Sequence, residues 1–185
     1  MNLNTQLFFT LYGLAHHSLA FDTVIIFFAQ YLAYIVLACA VIFLVYFFIY
    51  DKDWKGKRWI RWGIEAVVIG VSVFCAWFVS FLIKISMSVA RPFVAFPQVH
   101  ALITETKYDS FPSGHATFFF ALATAIYLYD RRAGAFFFIC AILISIARVM
   151  AGVHFPLDIL VGALIGTVIG CVVHMFLSRD EKRVK

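Results

Sequence analysis

Apolar residues along this chain gather in long runs separated by short polar or charged stretches. Such runs cover residues 21–50, 60–90, 113–129, 134–152 and 156–177, each near the length of about 20 apolar residues that crosses a bilayer. Residues 2–17 are too short to span, and Leu3, Leu7, Leu11 and Leu14 recur there at helical spacing, the pattern of a helix lying in the membrane interface. A cleaved signal peptide is the rival reading of that segment, but no basic residue precedes its apolar run. The expected fold is all-α: a multi-pass membrane helix bundle of about five transmembrane helices plus an N-terminal interfacial helix, with residues 1–185 forming one integral-membrane domain.

Composition agrees. Of 185 residues, 64% are hydrophobic, 18% aromatic and only 14% charged, a balance that excludes an ordinary water-soluble surface. Cys39, Cys75, Cys140 and Cys171 all fall within the runs and read as packing residues, with no paired-cysteine motif for a metal or a disulfide framework. Charge then orients the bundle. Eleven of the fifteen basic residues lie in the first connection (Lys52, Lys55, Lys57, Arg58, Arg61), the third (Arg131, Arg132) and the tail (Arg179, Lys182, Arg183, Lys185). The positive-inside rule puts these in the cytoplasm and the N-terminus outside, in a cell (inner) membrane. Trp54, Trp59 and Trp62 flank the same boundary as an aromatic belt. Attraction to anionic lipid headgroups accounts for the basic balance, with no nucleic acid as partner.

The other four cations, Lys84, Arg91, Lys107 and Arg148, fall near the outer face. An isolated lysine near a helix end reads as snorkelling, but charges within apolar helices are costly and mark candidate functional sites. Lys84 and Arg91 are seven apart, which predicts two turns of one helix, a shared face, and Pro92 as that helix's end. Ser113 stands where an N-cap is expected, with Gly114 and His115 in the first turn, so free N–H groups and the helix dipole favour an anion there. Arg148 closes the next helix, His154 lies in the following connection, and Asp158 comes four residues later, placed to accept the imidazole N–H and orient the ring. Three cations, a helix N-terminus, a proton donor and an oriented imidazole are what phosphoryl transfer needs when neither metal nor cofactor is used.

Three segments, "KISMSVARP" at 84–92, "PSGH" at 112–115 and "RVMAGVHFPLD" at 148–158, resemble in order and spacing the signature motifs of the type-2 phosphatidic acid phosphatase superfamily, which also holds the vanadium-dependent haloperoxidases. The resemblance implies that Lys84, Arg91, Ser113, Gly114 and Arg148 bind the substrate phosphate, His154 is the phosphorylated nucleophile, Asp158 orients it, and His115 protonates the leaving oxygen. The chain departs from the family's third motif at Ala147, where serine is usual. "GLAHHSLAFD" and "RPFVAFPQVHALI" are similar to the bacterial undecaprenyl-diphosphatase branch, members of which can carry an acidic residue where Gly114 stands. That branch implies hydrolysis of a membrane lipid diphosphate to the monophosphate and inorganic phosphate at an outward-facing site. Phosphatidic acid or phosphatidylglycerol phosphate is the alternative substrate, and a lipid transporter the alternative class.

Other polar residues have simpler readings. His16 and His17 suit the interface, His174 and Glu65 the cytoplasmic boundary, and His100, Glu105, Lys107 and Asp109 a solvated connection or, more sharply, a lid over the site. Gly162, Gly166 and Gly170 form a doubled small-residue motif read as close packing inside the bundle rather than a dimer seam, and the oligomeric state is left open.

Overall fold

The computed structural model describes residues 2–50 and 58–178. Lys52, Trp54, Lys55, Lys57, Arg179, Lys182, Arg183 and Lys185, and the side chains of Arg58, Trp59, Arg61 and Trp62, lie outside the described residues. The architecture is all-helical. Helix α1 covers Leu3–Tyr12; α2 (Leu19–Ile26), a π-helical turn (Phe27–Tyr31) and α3 (Leu32–Tyr50) follow one another as a single rod. Then come α4 (Arg58–Met87), the short α5 (Pro92–Ala95), α6 (Gly114–Tyr129), α7 (Arg131–Met150) and α8 (Pro156–Leu177).

Among the described residues, four stretches are long and apolar enough to cross a membrane: Leu19–Tyr46, Gly63–Ala95, Arg131–Met150 and Pro156–Leu177. The remaining predicted span, α6, has 16 residues, about 24 Å at 1.5 Å per residue, less than the roughly 30 Å of hydrocarbon. It is also the innermost helix. Ala116, Thr117, Phe119 and every residue from Ala121 to Ile126 are buried, because α6 packs against α4, α7 and α8. The outer helices instead present large apolar side chains such as Ile42, Phe74, Ile139 and Leu164 outward, as lipid contact requires.

Small residues set how closely the inner helices approach. A Cβ on Gly162 would lie 2.7 Å from the Ser113 carbonyl oxygen, and one on Gly166 would run into the Thr117 carbonyl. The doubled glycine motif therefore packs α8 against α6, within one chain. At the far end of the bundle Asp130 caps α7, its carboxylate accepting from Arg132 N at 2.8 Å and Ala133 N at 2.9 Å, which is why that helix begins three residues before the predicted Gly134.

The structure corrects one placement. Lys84 and Arg91 do not share a helix: α4 ends at Met87, Ser88 turns the chain at φ +44°, and Arg91 is the N-cap of α5. A residue preceding proline is disfavoured in the helical region, and proline suits a first helical position. Pro92 thus opens a helix rather than closing one. Arg91 is thereby released to turn inward.

Helix α1 lies across the end of the bundle that holds the three motifs. Phe8 is fully buried against Tyr12 and Phe155, while Leu3, Leu7 and Leu14 remain exposed, as an interfacial helix requires. Asn4 Oδ1 accepts the Leu157 N–H at 2.9 Å, capping α8 from a distant part of the chain.

Candidate active site

Four helix ends meet here: the C-termini of α4 and α7 and the N-termini of α6 and α8. Ser113 is fully buried, donates its N–H to the Asp158 carbonyl at 3.0 Å, and takes the N-cap position of α6, its hydroxyl 3.5 Å from Ala116 N. The first-turn N–H groups of Gly114 and His115 have no intrahelical acceptor and form the positive end of that helix. A Cβ on Gly114 would meet Lys84 Cε at an ordinary 3.7 Å.

His154 is buried in the connection between α7 and α8. Arg91 Nη1 lies 3.2 Å from its Nε2 and donates to the Val153 carbonyl at 3.0 Å. Arginine can only donate, so Nε2 is the accepting nitrogen and the ring proton belongs on Nδ1. Burial holds this histidine well below its ordinary pKa, assisted by the charges of Arg148, Arg91, Lys84 and His115. The ring is therefore neutral, with its lone pair on the nitrogen that faces the arginine.

Asp158 approaches Nδ1 at 3.5 Å, but Nδ1 makes no hydrogen bond. The expected imidazole–carboxylate bond is thus only approached. The same oxygen, Oδ2, accepts the Ser110 hydroxyl at 2.6 Å and the Phe155 N–H at 2.8 Å. These bonds fix the carboxylate at the start of α8.

The cations converge. Arg148 is buried, its Nη1 3.5 Å from the Ala29 carbonyl in the π-helical turn. Its Nη2 pairs with Glu105 Oε1, and Arg91 Nη2 lies 3.1 Å from Glu105 Oε2, so one carboxylate bridges both guanidiniums. Lys84 Nζ donates to the Asp109 carbonyl. His115 lines a cavity of about 520 Å³ with Gln30, Tyr34, Trp77, Glu105 and Arg148, its ring stacked on Phe119 at 6.3 Å. Among the described residues no three His, Cys, Asp or Glu side chains converge as a metal-ligating group.

All eight residues singled out in the three motifs lie at this end of the bundle. The Lys107 carbonyl accepts the Arg91 N–H at 3.1 Å. His16 bonds the His100 carbonyl at 3.1 Å and His17 the Gly13 carbonyl at 2.7 Å, so both histidines secure loops. His174 packs edge-on against Tyr129 at 4.9 Å, far from the site. Sequence reasoning did not foresee the bridging by Glu105, the anchoring of Asp158 by Ser110, or the carbonyl that Ala29 offers Arg148. An acidic residue in the connection between two segments that each carry a conspicuous arginine was the available signal for the first.

A sequence model described as the PAP2 superfamily matches residues 65–182. The chain is 34% identical over 102 residues to the "Bacitracin transport permease protein BcrC" of Bacillus licheniformis, covering 50% of each protein. It is 28% identical over 174 residues to the "Undecaprenyl-diphosphatase BcrC" of Bacillus subtilis (strain 168), covering 94% of this chain and 84% of that one. The chain thus spans about half the length of the first relative and most of the second. Its fold matches the crystal structure of "the first transmembrane PAP2 type phosphatidylglycerolphosphate phosphatase from Bacillus subtilis", with a TM-score of 0.68 at 21% identity over 98% of this chain and 88% of that one.

Proposed function

The chain belongs to the PAP2 superfamily of phosphatases, and from that premise we propose that it hydrolyses undecaprenyl diphosphate to undecaprenyl phosphate and inorganic phosphate through a phosphohistidine on His154. The observation that carries this reading is the buried, neutral His154 whose Nε2 lies 3.2 Å from Arg91, beside Arg148, Lys84 and an open helix N-terminus.

In the first step Arg91, Arg148, Lys84 and the first-turn N–H groups of α6 hold the oxygens of the terminal phosphoryl group, whose negative charge offsets the cations and lets His115 take up a proton. His154 Nε2 attacks phosphorus, the bond to the bridging oxygen breaks, and the protonated His115 gives that oxygen its proton. Asp158, close to Nδ1, stabilises the positive charge that the ring acquires. In the second step water, losing its proton to His115, displaces the phosphate from His154. The cations supply the electrostatic stabilisation that a divalent metal gives in other phosphatases.

Two observations support the polyprenyl diphosphate. The relative that covers most of the chain carries that activity in its name, and the cavity beside His115 continues along Ala33, Leu37 and Phe118, apolar side chains suited to an isoprenoid. A transporter would hold its cations near mid-bilayer, whereas these stand at helix ends. The site faces outward if the eleven basic residues mark the cytoplasmic side. The test is phosphate release by purified protein from undecaprenyl diphosphate, phosphatidic acid and phosphatidylglycerol phosphate, each with excess chelator. Preferred turnover of the diphosphate, undiminished by chelator, is expected. Preference for a glycerophospholipid overturns the substrate assignment, and no release from any of the three overturns the activity.

A further inference from the structure

Among the described residues, Glu105 is the acidic side chain that enters the cationic cluster through direct ion pairs with both arginines. We infer that its carboxylate is a resident anion in the phosphate seat, exchanged for the terminal phosphoryl group when substrate binds, and that this exchange sets which anions the site accepts. The inference rests on the phosphate-binding role proposed above for Arg91 and Arg148.

The geometry is that of a stand-in ligand. Oε2 pairs with Arg91 Nη2 at 3.1 Å and Oε1 with Arg148 Nη2, so one planar group spans two guanidiniums as two oxygens of a phosphoryl group can. One carboxylate does not satisfy the cluster. Arg91 Nε and Arg148 Nε are buried without a hydrogen-bond partner, and a phosphoryl group brings a third terminal oxygen. Buried donors without acceptors are costly, so the seat favours a ligand with more acceptors and more charge than Glu105 provides.

The carboxylate also has somewhere to go. Thr104 and Glu105 line the cavity beside His115, and the Glu105 side chain is 23% exposed against 4% and 3% for its two arginines. The connection is held by backbone bonds on either side, from Leu102 N to the Ala151 carbonyl at 3.0 Å and from Arg91 N to the Lys107 carbonyl at 3.1 Å. Residues 104–106, beyond the buried Ile103, can therefore shift without unfolding the helices. A ligand displaces Glu105 by outcompeting its charge. A doubly charged terminal phosphoryl group meets that threshold better than a singly charged phosphodiester, and returning Glu105 helps expel inorganic phosphate after turnover. Glu105 is thus a specificity-determining residue acting through the arginines.

The test uses inorganic phosphate as the probe and needs no turnover. Calorimetric or thermal-shift titration of the full chain in detergent is expected to give a phosphate Kd at least tenfold lower in Glu105→Gln and Glu105→Ala than in the wild type, about 1.4 kcal/mol. A fall smaller than threefold, or a rise, overturns the inference, the rise showing that Glu105 organises the arginines for the ligand instead. Should the variants not fold, hydrogen exchange on the wild type decides: saturating phosphate should speed exchange at residues 103–108, and unchanged or slower exchange there counts against displacement. Tighter phosphate binding in a protein that hydrolyses no lipid phosphate sustains the inference while removing the proposed function. Normal hydrolysis with unaltered phosphate affinity does the reverse.

Discussion

Replacing Asp158 with asparagine separates the two jobs that its carboxylate holds. The Ser110 hydroxyl at 2.6 Å, the Phe155 N–H at 2.8 Å and His154 Nδ1 at 3.5 Å all meet the same oxygen, Oδ2. An asparagine carbonyl placed there keeps both hydrogen bonds and loses the charge. At 3.5 Å and an effective dielectric of about 20, a unit charge on the imidazole is stabilised by at most about 5 kcal/mol. That charge develops only as His154 attacks phosphorus. The expected loss is therefore in kcat, by about 10²–10³-fold or about 3–4 kcal/mol of transition-state stabilisation, with little change in KM. Asp158→Ala should in addition destabilise the fold, because the Ser110 hydroxyl and Phe155 N–H become buried donors without acceptors at about 1–3 kcal/mol each. Steady-state phosphate release and thermal midpoints in detergent measure both effects. An Asp158→Asn protein with native stability and kcat within threefold of wild type refutes the electrostatic role.

His154 contributes one proton's worth to the pH dependence of stability. Its folded pKa lies below the ordinary value near 6.5, so in acid the unfolded chain binds a proton that the folded chain refuses; the stability is present above about pH 6.5 and lost below it, by about 1.4 kcal/mol per pH unit. His154→Gln should remove that one-proton slope, and an unchanged slope in a pH series of thermal midpoints contradicts the burial of a neutral ring. Gly166→Ala, whose Cβ meets the Thr117 carbonyl, should cost about 1–3 kcal/mol, while Gly63→Ala, with nothing within 4 Å, should be neutral; equal melting temperatures for the two argue against the α6–α8 seam. For orientation, single cysteines at Gln98 and Gly56 in a background without the four native cysteines should label unequally with an impermeant thiol reagent on intact cells or spheroplasts, Gln98 reacting and Gly56 spared. The opposite pattern places the site on the cytoplasmic face.

Much of the fold was legible because long apolar runs leave few alternatives to spanning helices, and because Ser113 and Pro156 mark helix starts by chemistry that acts locally. The α4 terminus was not legible: seven-residue spacing between Lys84 and Arg91 suits one helix, and only the turn at Ser88 shows that Arg91 enters the site from a separate segment. In the same way, periodicity could nominate Gly162, Gly166 and Gly170 for close packing but could not say that α6 was the partner. The motif residues of the candidate site stood out as charges where charge is expensive. Ser110, Ala29 and the bridging position of Glu105 did not, because their contributions depend on contacts between residues 48, 119, 14 and 43 positions apart.

The most direct test of the mechanism is to trap the covalent intermediate. Rapid acid-free quenching of the enzyme with lipid diphosphate labelled in its terminal phosphate should capture an alkali-stable, acid-labile phosphoryl group on the peptide containing His154, formed no more slowly than turnover and absent from His154→Gln. Turnover at the normal rate without protein-bound label, or equal labelling of His154→Gln, would contradict a phosphohistidine at this position.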